Sequence, residues 1–234
     1  THITGMSTNP NTVSYLGLPL STSKITINQC LPLFEKITAR LNCWTTRTLT
    51  QAGRLTLIKS VIFSMQVYWA RTFILPYKLI NMIKSAFMKF LWAGKTIGKY
   101  IAPIKFSKLE RPMSKGGLGI FNMKQWNRAA FAKHLDTFYN DTDSLWANWS
   151  KKNVTKGKSL WKMSKPQNMS WTWQSLFKIK ELFLPLIQMN SCPSYRVSFW
   201  DEPWLDKGYI LSRHLTYNEI QQTGIHSAAI VRDV

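Results

Sequence analysis

Apolar positions along the first half of the chain recur with the period of a helix. Leu55, Ile58, Ile62, Met65 and Trp69 step by three, four, three and four, a single stripe down one face of a long helix. That helix must stop before Pro76, because a proline disfavours helical backbone in the residue ahead of it. Upstream, Leu31 to Trp44 reads as a helix with Pro32 confined to its first turn, where its missing N–H is not needed. Downstream, a helix is predicted from about Tyr77 to Trp92, burying Ile80, Ile83, Phe87 and Leu91 and closed by Ala93-Gly94. Val13 to Leu20 is a short extended segment broken by Gly17 and Pro19. Residues 95–121, with Ile101-Ala102-Pro103-Ile104 and the run Gly116-Gly117-Leu118-Gly119, read as irregular or hairpin-like. Asn122 with Gln125 resembles a capping box opening a helix through about Phe138. Trp171 to Ile187 is a predicted helix and Tyr195 to Trp200 a predicted strand. The fold class is therefore mainly α: a basic helical bundle preceded by a short β segment and followed by a smaller mixed α/β region.

Composition supports a folded chain, since 45% of the 234 residues are hydrophobic and 13% aromatic. Charge changes the picture. The net charge is +20, and it is not spread evenly: through Lys133 there are 19 Lys and Arg against only Glu35 and Glu110, a net of +17. From His134 onward 12 cations face nine acids, a net of +3. Like charge on that scale repels itself unless a polyanion offsets it, and nucleic acid is the first candidate. An anionic membrane surface is the second. The longest apolar stretch, Val61 to Leu75, is interrupted by Ser64, Gln66 and Arg71 and is too short to span a bilayer. No secretion signal opens the chain, and Cys30, Cys43 and Cys192 are too widely spaced for a disulfide framework or a zinc site. An intracellular location, nuclear and cytoplasmic, is expected. Loop-like runs at Asn140-Asp141-Thr142-Asp143 and from Lys151 to Lys158 place a boundary between Tyr139 and Lys158. The expected divisions are 1–22, 23–140 and 141–234.

Candidate chemistry is sparse. Two-metal phosphoryl transfer needs clustered carboxylates, and the basic part has two, 75 positions apart. Asp141/Asp143 and Asp201/Glu202 are the close pairs, and each reads as structural or solvated. No Gly-x-Ser-x-Gly elbow, Walker-A loop or His-Glu-x-x-His motif occurs. Lys115-Gly116-Gly117-Leu118-Gly119 could cradle a phosphate on backbone N–H groups, although a tight turn fits its spacing better. His134, beside Phe131 and Leu135, reads as a surface or packing residue, and the tryptophans as core. On the stripe helix, Arg54 and Lys59 flank the apolar face, where long cationic side chains can reach a groove. Lys78 and Lys89 lie opposite the apolar face of the next helix. With Arg40 and Arg47 these form the candidate nucleic-acid-binding set, although Arg54 could equally bond a neighbouring helix carbonyl.

Several segments resemble plant non-LTR (LINE-type) retrotransposon reverse transcriptases in order and spacing, from about residue 13 to 205. They are Tyr15-Leu16-Gly17-Leu18-Pro19-Leu20, Trp44, Leu49-Thr50-Gln51-Ala52-Gly53-Arg54, Leu57-Ile58-Lys59-Ser60-Val61 and Phe90-Leu91-Trp92-Ala93-Gly94. Gly116-Gly117-Leu118-Gly119-Ile120, Trp126-Asn127-Arg128-Ala129 and Phe199-Trp200 with Trp204 continue the series. Arg111-Pro112-Met113 departs from the family's Pro-Lys, and Glu202 stands where Asp is usual. The resemblance implies a piece running from the end of the palm through the thumb and the region after it. Tyr15, Leu16, Gly17 and Leu18 then look like the primer grip. The catalytic aspartates and their Mg²⁺ would belong to a palm absent from this sequence, so no cofactor is expected on this chain, nor is catalysis by it alone. The implied partners are an RNA/DNA primer–template duplex and the fingers–palm portion of the same polyprotein. A free-standing basic helical nucleic-acid-binding module, or a retroelement remnant without function, is the alternative.

Overall fold

A computed structural model describes residues 14–21, 23–45, 49–140, 143–164, 169–187 and 197–233. Among them the architecture is mainly α, with nine α-helices and one two-stranded hairpin. No described helix is long and apolar enough to cross a membrane. Two units divide between Phe131 and Ala132.

The first unit opens on strands β1 (Ser14–Tyr15) and β2 (Leu18–Pro19), antiparallel, with Tyr15 opposite Leu18. Leu16 (φ 49°) and Gly17 (φ 78°) turn the corner in the left-handed region that such two-residue hairpins require. Glycine takes this freely, whereas a leucine there costs about 1 kcal/mol. Tyr68 helps hold it, donating its hydroxyl to the Leu16 carbonyl at 2.8 Å.

Helix α1 (Ile27–Thr45) begins a full turn earlier than the apolar pattern predicts. Its start is a capping box. Thr26 Oγ1 accepts from the Gln29 N–H at 3.4 Å, and Gln29 Oε1 accepts from the Thr26 N–H at 2.9 Å. Pro32 consequently sits inside the helix rather than in its first turn. The helix tolerates it there because Asn28, whose carbonyl loses its N–H partner, is exposed to water. Cys30, Leu33, Ile37 and Leu41 form its buried edge.

The stripe helix is not continuous. Helix α2 (Gln51–Leu57) passes through a π-helical turn, Ile58–Ile62, into α3 (Phe63–Thr72). A π turn takes up one extra residue and rotates the helix downstream of it. Ile58 and Trp69 stay buried as expected, but Phe63, Gln66 and Ala70 join them while Met65 is only half-buried. Helix α4 (Tyr77–Ala93) obeys its punctuation: Pro76 precedes it, and Gly94, at φ 67°, closes it by donating its N–H to the Phe90 carbonyl at 3.0 Å. It is the central helix of this unit, packed by α1 and α2 and burying Leu79, Ile80, Ile83, Phe87, Phe90 and Leu91 among others. Each such side chain removed from water contributes roughly 1.5–3 kcal/mol.

Residues 106–120 form no strand. A short helix α5 (Phe106–Leu109) and a 3₁₀ turn, Met113–Lys115, fold back so that the Leu118 and Ile120 N–H groups both donate to the Leu109 carbonyl. Gly117 is pressed against the Arg111 carbonyl, which a Cβ would meet at 2.0 Å. Helix α6 (Met123–Asn140) comes next, with Asn122 Oδ1 accepting the Gln125 N–H at 3.1 Å, one of the two bonds of the predicted capping box. Buried Asn127 then ties the segment between α3 and α4. It accepts from the Leu75 N–H at 2.8 Å and donates to the Phe73 and Ala70 carbonyls at 2.8 and 3.1 Å.

In the second unit, α7 (Leu145–Ser150) is capped by Ser144 and runs into a π-helical turn at Lys151–Thr155. Helix α8 (Trp171–Phe183) gives way to a 3₁₀ turn at Leu184–Leu186, since Pro185 cannot continue the ladder. The core is aromatic: Trp146 stacks on Trp173 at 5.6 Å, and Phe138 meets Trp173 edge-on. Of the predicted strand from Tyr195 to Trp200, Tyr195 and Arg196 lie outside the described residues. The remainder makes only an isolated bridge, Ser198 to Ile230, since the partner segment runs straight on into a 3₁₀ turn at Val231–Asp233. A short α9 (Tyr217–Gln222) carries a second capping box, Thr216 with Glu219.

Candidate nucleic-acid interface

The hairpin tip is the most exposed of the predicted site segments. Tyr15 and Leu16 keep 65% and 74% of their surface in water, Gly17 is exposed and Leu18 half-buried. Beneath the tip stands a lysine that pattern reading missed: a Cβ built on Gly17 would lie 3.8 Å from Lys36 Nζ. Lys36 and Arg40 are one helical turn apart on α1, so both exposed cations share a face. Arg40 also lies over the Trp44 ring at 5.9 Å. The four-residue spacing was the available signal for Lys36, had the hairpin's landing place been known. Tip, Lys36 and Arg40 make one continuous strip.

The other predicted cations disperse. Arg54 is half-buried, and its Nη1 donates to the Leu91 carbonyl at 3.3 Å, the helix-to-helix bond weighed against a backbone contact. Lys59, also half-buried, reaches toward Gly119. Lys78 is exposed at the start of α4 and Lys89 half-buried near its end, about 16 Å further along the axis. Arg47 lies outside the described residues.

Of the two carboxylates in the basic part, Glu35 is exposed and Glu110 is not available to solvent in the same way. Lys84 Nζ donates to Glu110 Oε1 at 2.7 Å, and Asn122 Nδ2 donates to Oε2 at 3.1 Å. Lys84 also lies over the Phe106 ring at 4.8 Å. Glu110 is thus consumed in joining α4 to the cap of α6, and Glu35 remains as the exposed acid on this surface.

Of the two close carboxylate pairs, Asp201 and Glu202 do not form a shared site. Asp141 lies outside the described residues. Asp201 pairs with Lys162 at 3.2 Å, while Glu202 is buried among Ser159, Tyr139 and Trp161. Burial pushes the Glu202 carboxyl up to about 7, and the Asp201 charge adds to the rise. The surrounding polar side chains oppose it, but Oε2 has no hydrogen-bond partner of good geometry, so burial wins. The flanking residues are architectural: Trp200 Nε1 donates to the His226 carbonyl and Trp204 Nε1 to that of Phe199. Among the described residues no group of three or more His, Cys, Asp or Glu side chains could hold a metal ion. The Gly-rich loop cradles nothing either, since the N–H groups of residues 116–120 all donate to carbonyls of residues 109–113. Lys180 in α8, also missed, is buried, with Nζ donating to the Leu160 and Met163 carbonyls at 2.8 and 3.1 Å. Burial holds its ammonium below the usual lysine range.

No family model matches this chain, and no solved structure matches it. It is similar to an Arabidopsis thaliana protein named "Putative ribonuclease H protein", 28% identical over 192 residues. The match covers 80% of this chain and 31% of that protein, so the chain spans about a third of the relative's length.

Proposed function

We propose that this chain is the duplex-holding part of a retroelement-type reverse transcriptase, gripping a primer–template through phosphate contacts. The observation that carries this reading is the one-sided charge of residues 1–133. Nineteen cations stand there against two acids, and one of those acids is locked onto Lys84. A surface left with Glu35 as its exposed carboxylate repels itself unless a polyanion covers it. The strip from the hairpin tip through Lys36 and Arg40 offers apolar and cationic groups together, suited to a primer end and its backbone. A relative named for a ribonuclease fits the same substrate class. Nothing in the basic set reads base edges, so phosphate and sugar contacts should dominate and sequence should matter little.

The test is binding of a labelled RNA–DNA duplex across a salt series. Affinity should fall linearly on a log–log plot, with a slope of about −0.9 for each phosphate neutralised. Binding that ignores salt, or that depends strongly on sequence, overturns the reading.

A further inference from the structure

We propose that Phe121 and Trp126 form a stacking platform for an unpaired nucleobase, with Lys59 placed to meet the adjoining phosphate. This rests on the nucleic-acid function proposed for the chain and adds a second, single-strand contact to it.

The two rings stack on each other, centroids 5.2 Å apart and planes 23° apart. Phe121 is fixed from below by the edge of Phe63, at 5.6 Å and 88°, and Phe63 belongs to the buried core. Yet Phe121 keeps 53% and Trp126 39% of its surface in water. A cation lies on the segment that leads to them: a Cβ built on Gly119, two residues before Phe121, would lie 3.6 Å from Nζ of the half-buried Lys59. Met113, 74% exposed, borders the same point.

Part of this arrangement has a structural explanation. Phe121 precedes the cap residue Asn122, and Trp126 is the fourth residue of α6, so the pair occupies the positions of a hydrophobic staple. A staple needs only apolar contact, which leucines supply as well. It does not call for two large aromatic faces held rigidly at the surface next to an ammonium group. Those features match what single-stranded nucleic acid requires: a π surface for any base and a cation for its phosphate. The occupant must be unpaired, because bases within a duplex already stack on one another. Charge favours nucleic acid over an apolar partner, since this surface belongs to the part of the chain with 19 cations and two acids.

The experiment uses the whole chain, with a labelled single-stranded oligonucleotide and a fully paired RNA–DNA duplex as separate probes. Trp126→Leu and Phe121→Leu keep an apolar staple but remove the π face, and Trp126→Phe keeps both. The expected result is a roughly tenfold loss of single-strand affinity for the leucine variants, near-normal affinity for Trp126→Phe, and unchanged duplex binding. Circular dichroism melting checks that each variant is folded. Unchanged single-strand binding by folded Trp126→Leu overturns the platform alone, as does an equal loss on both probes. A wild-type chain that binds neither probe overturns the nucleic-acid function and the platform with it.

Discussion

The guanidinium of Arg54 lies against Gly94, so close that a Cβ on that glycine would stand 2.8 Å from Arg54 Cζ. Gly94 is therefore required twice, once for its left-handed backbone at φ 67° and once for the space its missing side chain leaves. Arg54 uses that space to reach the Leu91 carbonyl at the end of α4. Gly94→Ala should cost about 1–2 kcal/mol, from backbone strain together with displacement of the arginine. Arg54→Ala should cost about 1 kcal/mol for the lost hydrogen bond and packing. Because both act through one contact, the double variant should lose less than the sum, by roughly 0.5 kcal/mol or more. Urea denaturation of the four proteins measures this, and strict additivity would show the contact to be energetically idle. If Arg54 variants melt early but bind duplex normally when folded, its role is structural.

Asn127 presents a sharper case, because all three of its bonds are made inside the first unit. Asn127→Ala leaves the Leu75 N–H and the Phe73 and Ala70 carbonyls without their partner. Losses of about 2–4 kcal/mol are expected, above those for the neighbouring exposed Gln125→Ala. Asn127→Asp should be worse, since its carboxylate would face the two carbonyls that now accept from Nδ2. A melting temperature for Asn127→Ala equal to that of Gln125→Ala would contradict the assignment.

Much of the helical layout was legible because punctuation and period agreed. Pro76 and Gly94 bracket α4 almost at its predicted limits. Elsewhere two signals competed. Pro32 drew the expected start of α1 toward itself, although Thr26 and Gln29 already spelled a capping box one turn earlier. The π turn at Ile58–Ile62 was hidden because the stripe through Leu55, Ile58, Ile62, Met65 and Trp69 fits an uninterrupted α-helix. Only packing shows that Phe63 and Gln66 turn inward instead. Charge pattern identified the basic surface but not its members. Lys36 and Lys84 find their neighbours in Gly17 and Glu110, residues far off in sequence that only folding brings near. The short bridge at Ser198 illustrates the same limit, since a strand needs a partner that local composition cannot supply.

Glu202 makes the second unit sensitive to pH in a defined direction. Its carboxyl is raised from 4.5 to about 7 in the folded state, chiefly by burial. Between those values the folded protein holds a proton that the unfolded chain has released. Stability is therefore highest below about pH 4.5 as far as this group is concerned, and falls as pH rises to about 7. The full loss is of order 3 kcal/mol. Glu202→Gln should abolish that fall and be more stable than wild type above pH 7, provided the amide fits among Ser159, Tyr139 and Trp161. Urea midpoints across the pH range provide the check, and parallel profiles for the two proteins would refute the burial argument.

Primer extension is the last expectation, and it is negative for this chain alone. Joining a nucleotide to a primer end requires two divalent ions about 4 Å apart, held by bridging carboxylates, and it is the ions that stabilise the attacking and leaving oxygens. The described residues offer no cluster of the needed kind. Asp201 is engaged by Lys162, and Glu202 is buried and drawn toward its neutral form, so the adjacent pair does not present two charged groups to a shared ion. What the chain can contribute is position. On the function proposed above, a duplex held on the strip from Tyr15 and Leu16 to Arg40 would gain effective concentration at a reactive centre supplied elsewhere, without this chain performing the chemistry. The assay is extension of a primed template with Mg²⁺ or Mn²⁺, run with the purified chain and with the chain plus a separately supplied fingers–palm portion. No extension is expected from the chain alone, although it should bind the same primed template. Extension by the chain alone that disappears on Asp201→Asn would place a metal site where the geometry shows an ion pair with Lys162, and would overturn the proposed division of labour.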